Sequence, residues 1–208
     1  MYLPAQFAAK DPAIALELMR AHPFASLISS DDEGFPFVTP LPLHLVEEEG
    51  GLTLLGHVAR PNPHAGFLRQ RSTALVVFQG PQAYMTPRVY PDLTRVPTWS
   101  YLAVHARVQV SFIESFDDKD RLLKHLIHDH DPAYDAQWRA LPEDYQHKMM
   151  GGIHAFELRV TDLQCKVKLN QHRPESHAAM VAAYESGNEN ERALAGWMRR
   201  LGLTGQAA

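Results

Sequence analysis

The sequence predicts a mainly β, α+β protein, a meander-like barrel of strands with peripheral helices, and three observations carry that expectation. Strand-like runs at residues 24–29, 35–46, 52–58, 74–79 and 98–113 dominate the first half. Turn clusters separate the early runs, notably Asp31-Asp-Glu-Gly34 and Glu47-Glu-Glu-Gly-Gly51. Helical periodicity is confined to the start of the chain, to one central interval and to the last third.

The first element is a helix. Asp11 can cap it, Pro12 suits its first turn, Ile14, Leu16, Leu18 and Met19 supply apolar faces, and His22-Pro23 stops it. The strand runs follow, with room for a short helix at residues 62–71. Residues 116–130 read as a longer helix whose apolar side is Leu122, Leu123, Leu126 and Ile127. Residues 134–150 are helical in texture and broken at Pro142, and a final strand pair is expected at 152–160 and 164–169. Two helices, 174–185 and 189–201, are divided by Ser186-Gly-Asn188. The corresponding domain division is a barrel domain over residues 1–170 and a helical C-terminal extension over 171–208, packed on the barrel or on a partner.

Composition narrows the function classes. The chain has 208 residues, 45% of them hydrophobic and 21% charged, as in ordinary globular proteins. Its formal net charge of -4 gives no overall field that would draw it to nucleic acid. A single cysteine, Cys165, excludes an intramolecular disulfide and fits a reducing compartment. No signal peptide is visible and no apolar run approaches the roughly 20 residues needed to cross a bilayer, so a cytoplasmic protein is expected.

The most informative stretch is Leu52-Thr-Leu-Leu-Gly-His-Val-Ala-Arg-Pro-Asn-Pro63, an apolar strand that ends in polar groups. Gly56 would let another backbone or a flat ligand approach closely, and His57, Arg60 and Asn62 would form the rim. Arg60 carries a permanent charge on a planar fork of donors suited to phosphate, although an arginine before a proline-rich turn is also common on any surface. Metal binding is the rival constellation, since His125 and His128 are neighbours at i, i+3 beside Asp129 and His130. No HExxH or cysteine pair supplies a further ligand, and no metal site is expected. Neither a Gly-x-Ser-x-Gly elbow nor a Cys-His pair argues for a hydrolase, and no dinucleotide fingerprint argues for tightly held NAD(P).

Several separated segments together resemble one family. They are Thr39-Pro-Leu-Pro42, Gly56-His-Val-Ala-Arg-Pro-Asn-Pro-His64, Phe78-Gln-Gly-Pro81, Tyr84-Met-Thr-Pro87, Val96-Pro-Thr-Trp-Ser-Tyr-Leu-Ala-Val-His105 and Lys166-Val-Lys-Leu-Asn-Gln171. In composition, order and spacing these resemble the PaiB family over about residues 1–185. That resemblance implies an FMN-binding split β-barrel, Greek-key-like with peripheral helices, a homodimer with the flavin site at the interface, and FMN as cofactor. It implies that Thr39, Pro40, Leu41 and Pro42 lie beside the ring or ribityl chain, and that Gly56, His57, Val58, Ala59, Arg60 and Asn62 line the neighbouring strand, with Arg60 at the phosphate. Trp99, Lys168 and Gln171 would complete the site, from the same chain or from the partner chain. The terminal motif departs from the family pattern at Asn170 and His172, where a serine and an asparagine are usual.

The resemblance also implies a function: PaiB relatives are negative transcriptional regulators. An FMN-dependent oxidoreductase, of the flavin reductase or pyridoxamine phosphate oxidase kind, is the alternative, with NAD(P)H as a transient reductant. A haem-binding protein is a third reading, resting on fold analogy and the twelve histidines. Direct DNA binding finds no helix-turn-helix and no basic balance in this sequence.

Overall fold

The computed structural model describes residues 1–92 and 94–205. It is an α+β fold: a seven-stranded antiparallel sheet in the order β2-β1-β5-β6-β7-β4-β3, with seven α-helices among the described residues. The strands are β1 (Phe24–Ser30), β2 (Pro36–Pro42), β3 (His44–Glu48), β4 (Gly51–Ala59), β5 (Thr73–Met85), β6 (Thr98–Ile113) and β7 (Ile153–Lys168). The helices are α1 (Pro12–Ala21), α2 (His64–Gln70), α3 (Phe116–His130), α4 (Asp135–Ala140), α5 (Glu143–Gly151), α6 (His177–Glu185) and α7 (Glu189–Arg200). No described helix is long and apolar enough to cross a membrane.

Local chemistry explains most boundaries. Asp11 opens α1 by accepting the Ala13 N–H at 2.9 Å. Ser115 caps α3 by accepting from Asp118 N–H, and Asn188 and Glu191 form a reciprocal capping box on α7. Three expectations need correction. The single strand at 35–46 is two strands, because Pro36–Pro42 pairs with β1 while His44–Glu48 pairs with β4. Between them the Leu43 N–H is drawn to the Pro23 carbonyl at 3.0 Å. The pair expected at 152–160 and 164–169 is one long strand: residues 161–163 contain no glycine or proline, and Thr161 Oγ1 donates to the Arg107 carbonyl at 3.1 Å. Finally, Gly80-Pro81 does not end β5. The β1 register against β5 stops at Ser26 opposite Val77, so Pro81 lies beyond it and its missing N–H costs no bond to β1.

The chain divides into two compact units. One comprises Met1–Leu18, Gln79–Val104 and the chain from Gln164 on; the other comprises Met19–Phe78 and His105–Leu163. In the first, Gly80 sits where a Cβ would meet Leu18 Cδ1 at 2.5 Å, and Met180, Leu194 and Met198 are fully buried. Cys165 is buried there too, and burial pushes its thiol up to about 11. In the second, Leu55, Leu122, Leu126 and Ala155 pack α3 onto β4 and β7.

Within the second unit α2 is fastened to β1 and β2 by a buried polar cluster. His64 is fully buried, with Nδ1 2.7 Å from Thr39 Oγ1 and Nε2 2.9 Å from Ser29 Oγ. The Asn62 carboxamide oxygen accepts the His64 N–H at 3.0 Å. Burial lowers the imidazole to about 4, so it is neutral at pH 7 and one ring nitrogen donates while the other accepts.

Two predictions follow from this packing. A Cβ on Gly56 would lie 2.5 Å from Leu43 Cδ2 and 3.3 Å from Phe156 Cε2. Gly56→Ala is therefore expected to lower stability by about 1–3 kcal/mol in denaturant titration. His64 titrates near 4 when folded and near 6.5 when unfolded, so the unfolded chain takes up its proton first as pH falls. Stability is thus complete above about pH 6.5 and drains as pH drops toward 4, by up to about 3 kcal/mol from this group. Stability measured at pH 7 and 4.5 should differ less in His64→Gln than in the parent chain.

Candidate functional site

The expected flavin-binding strand is β4, and its pairing is asymmetric. The β3 register ends with His44 opposite Leu55, whereas the β7 register runs on to Ala59 opposite Ile153. Residues 57–59 therefore extend past the end of β3, which leaves one edge of their backbone for another partner.

Two side chains at this strand end have unmet capacity. The His57 Nδ1 atom is buried with no hydrogen-bond partner among the described residues. Burial also lowers the His57 pKa, so the ring is neutral and offers a hydrogen bond rather than a second positive charge. An orphaned buried nitrogen is uncommon enough to call for an occupant. Arg60 is held in two places: its backbone N–H donates to the Gly152 carbonyl and its Nε–H to the Gly151 carbonyl, both at 2.8 Å. No carboxylate pairs with it among the described residues. Most other arginines are paired, for example Arg69 with Glu114 and Arg71 with Asp32, each at 3.0 Å. Arg60 is thus positioned but not neutralised, and its Nη donors are open.

The other expected residues divide. Thr39 and Asn62 are brought together around His64, with Asn62 Nδ2 3.5 Å from Thr39 Oγ1. Alternation along β2 places Thr39 and buried Leu41 on the face that carries this cluster, and Pro40 and Pro42 on the opposite face. Val58 is buried and Ala59 is exposed. Gly56 is approached not by a ligand but by the side chains of Leu41, Leu43 and Phe156. Ser29 and His64 are the members of this constellation that sequence reading missed; only the fold brings residues 29, 39 and 64 together.

Trp99, Lys168 and Gln171 belong to the other unit. Trp99 and Lys168 line one cavity of about 350 Å³, while Gln171 spends both ends of its amide on the turn after β7, accepting from Leu169 N–H and donating to the Val167 carbonyl. Asn170 has φ 62, a left-handed conformation that asparagine tolerates, and its amide reaches Tyr90 Oη at 2.9 Å and Ser176 Oγ at 2.7 Å. A serine there could not span both, so this departure from the family motif has a bracing role. Of the histidines weighed for metal, His125 stacks on His44 at 4.9 Å and His44 pairs with Asp129. No group of three ligating side chains is assembled among the described residues.

FMN has an anionic phosphate, a polar chain and a flat ring with hydrogen-bonding edges. The open Arg60 fork, the orphaned His57 nitrogen and the free strand edge at residues 57–59 fit those demands in kind. Comparison with known proteins agrees. Residues 1–162 match the family model described as "Putative FMN-binding domain". Protease synthase and sporulation protein PAI 2 of Bacillus subtilis is 28% identical over 93% of this chain and 93% of its own length. Among solved structures, the FAD and heme binding protein from Mycobacterium smegmatis superposes with a TM-score of 0.63 at 18% identity, over 78% of this chain and 73% of that one. The flavocytochrome Anf3 from Azotobacter vinelandii gives 0.63 at 16%, over 79% and 70%. These likenesses place the chain on the flavin-binding split-barrel fold. The chain therefore belongs to the FMN-binding domain family to which PAI 2 is related, and FMN is its cofactor.

Proposed function

We propose that this protein is an FMN-binding homodimer of the PaiB type that acts as a negative regulator, with the flavin phosphate at Arg60 and the rest of the cofactor along residues 56–62. The observation that carries the site is the guanidinium itself: fixed through Nε to Gly151, unpaired with any described carboxylate, and at the open end of β4. The regulatory role rests on the near full-length similarity to PAI 2.

Direct DNA contact through the α6–α7 hairpin is disfavoured by its charges. Arg199 pairs with Glu185 and Arg200 with Glu17, so the basic end of α7 is already neutralised. Regulation in this reading passes through the flavin and a protein partner. A redox enzyme is the second reading, favoured by the neutral, unpartnered His57, which could tune a flavin by hydrogen bonding. FMN, when bound, supplies one- and two-electron transfer. Steady oxidation of NAD(P)H by the FMN-loaded protein would support that reading, and a Soret band in the purified protein would instead support haem binding.

Support for a dimer comes from β1 and β2. Phe24 (68% exposed) and Val38 (49%) lie with Pro36 and Pro40 on exposed positions of this strand pair, and Phe35 (71%) is exposed in the turn before β2. The prolines deny β2 the N–H groups that another strand would need, so a second copy would cover this surface face to face rather than edge to edge.

Arg60→Ala is expected to weaken FMN binding by about 1.5–3 kcal/mol in a flavin fluorescence titration, the worth of a charge-assisted contact. An unchanged affinity would remove Arg60 from the phosphate site. Light scattering is expected to give a dimer for the parent chain and a monomer for Phe24→Glu; a parent chain that is monomeric while binding FMN tightly would remove the dimer from the proposal.

A further inference from the structure

The polar cluster around His64 has a direction as well as a shape. Among the described residues the buried Ser29 hydroxyl has one hydrogen-bond partner, His64 Nε2 at 2.9 Å. The imidazole is clamped by a T-shaped contact with Phe37 at 5.0 Å, and Phe37 is held in turn by Phe67 at 5.2 Å. On the other side of the ring, Thr39 Oγ1 has two neighbours, His64 Nδ1 at 2.7 Å and Asn62 Nδ2 at 3.5 Å.

A neutral imidazole donates from one nitrogen and accepts at the other, so two arrangements of hydrogens compete. If Nε2–H donates to Ser29, the Ser29 hydrogen is left in the interior with no acceptor among the described residues. If Ser29 donates to Nε2, every hydrogen on that side is used and Nδ1–H donates to Thr39. An unmet buried donor is costly, so the second arrangement holds. Asn62 reinforces it. Its carboxamide oxygen accepts the His64 N–H at 3.0 Å, which turns Nδ2 toward Thr39 as a second donor. Thr39 Oγ1 then accepts twice, and its own hydrogen has no acceptor among the described residues. The side chain is only half-buried, so that hydrogen is available to a ligand.

We infer that His64 is a positioning residue for the cofactor, fixing the Thr39 hydroxyl as a hydrogen-bond donor to an acceptor atom of the FMN ring. The inference rests on the flavin reading of residues 56–62, a segment to which Asn62 ties Thr39 directly. Polarity selects the ring as the target. Ribityl hydroxyls donate and accept alike and gain nothing from a partner of fixed direction, whereas the ring carbonyls and unprotonated ring nitrogens only accept. Reduction adds electron density at those acceptors, and a hydrogen bond to a charged acceptor is roughly twice as strong as a neutral one. A donor held in place by His64 therefore favours the reduced cofactor over the oxidised one. Ser29 and His64 set that preference from inside the core.

The test uses the full chain in two measurements. In protein labelled with ¹⁵N-histidine, the His64 ring signals, assigned by their loss in His64→Gln, report which nitrogen carries the proton. Nδ1 is expected to carry it, and a proton on Nε2 would overturn the inference; this reading needs no folded variant at position 39. The second measurement is a reductive titration of the FMN-loaded chain. Thr39→Val removes the hydroxyl at nearly constant shape and is expected to weaken the reduced cofactor about tenfold more than the oxidised one, a fall of about 30 mV in the two-electron midpoint potential. Thr39→Ser keeps the donor and is expected to match the parent. Equal weakening of both forms in Thr39→Val, or a Thr39→Ser potential as low as that of Thr39→Val, would overturn the role of the hydroxyl while FMN binding stands. A parent chain that takes up no FMN would remove the flavin reading and this role together.

Discussion

The candidate flavin site depends on a change of strand partner at Leu43. Up to Pro42 the chain is bonded to β1; from His44 it is bonded to β4, and the Leu43 amide is held by the Pro23 carbonyl at the crossing. Because β3 begins only there, it reaches no farther along β4 than Leu55, and the strand end carrying His57 and Arg60 is left open on one side. The same crossing drives Leu41 and Leu43 into the core over β4, which is why position 56 has no room for a side chain. An open strand edge and a tightly filled core are thus two results of one topological switch.

Much of this was readable in the sequence, for identifiable reasons. The caps at Asp11, Ser115 and Asn188 act within a few residues of themselves, and the helices they start were expected at nearly their observed positions. The strands misread were those whose limits are set by distant partners. The lack of glycine and proline at 161–163 allows the strand to continue, but the partner that holds it there, the β6 carbonyl taken by Thr161, is distant in sequence, and the division of 35–46 follows from β1 and β4 each taking one half of it. The strand expected at 74–79 runs on through position 80, where the crowding by Leu18 and Leu102 that leaves no room for a Cβ is also distant in sequence.

The site shows the same division. Arg60 stood out because an arginine after an apolar strand is visible as a pattern. That its charge is unneutralised is a property of the folded surroundings, as is the missing partner of His57 Nδ1. Thr39 and Asn62 were picked out as polar residues near a ligand, and the structure gives them first to His64. Hydroxyls and amides are poorly assigned from sequence because they serve a buried histidine as readily as a cofactor.

The lone cysteine has a practical side as well. A thiol held near 11 and shut inside a folded unit reacts negligibly as thiolate, so an oxidant such as peroxide has little purchase on it. It also makes Cys165 a natural clock: reagent can reach it only when β7 lifts, and the rate of its labelling would time the opening of that strand without any introduced probe.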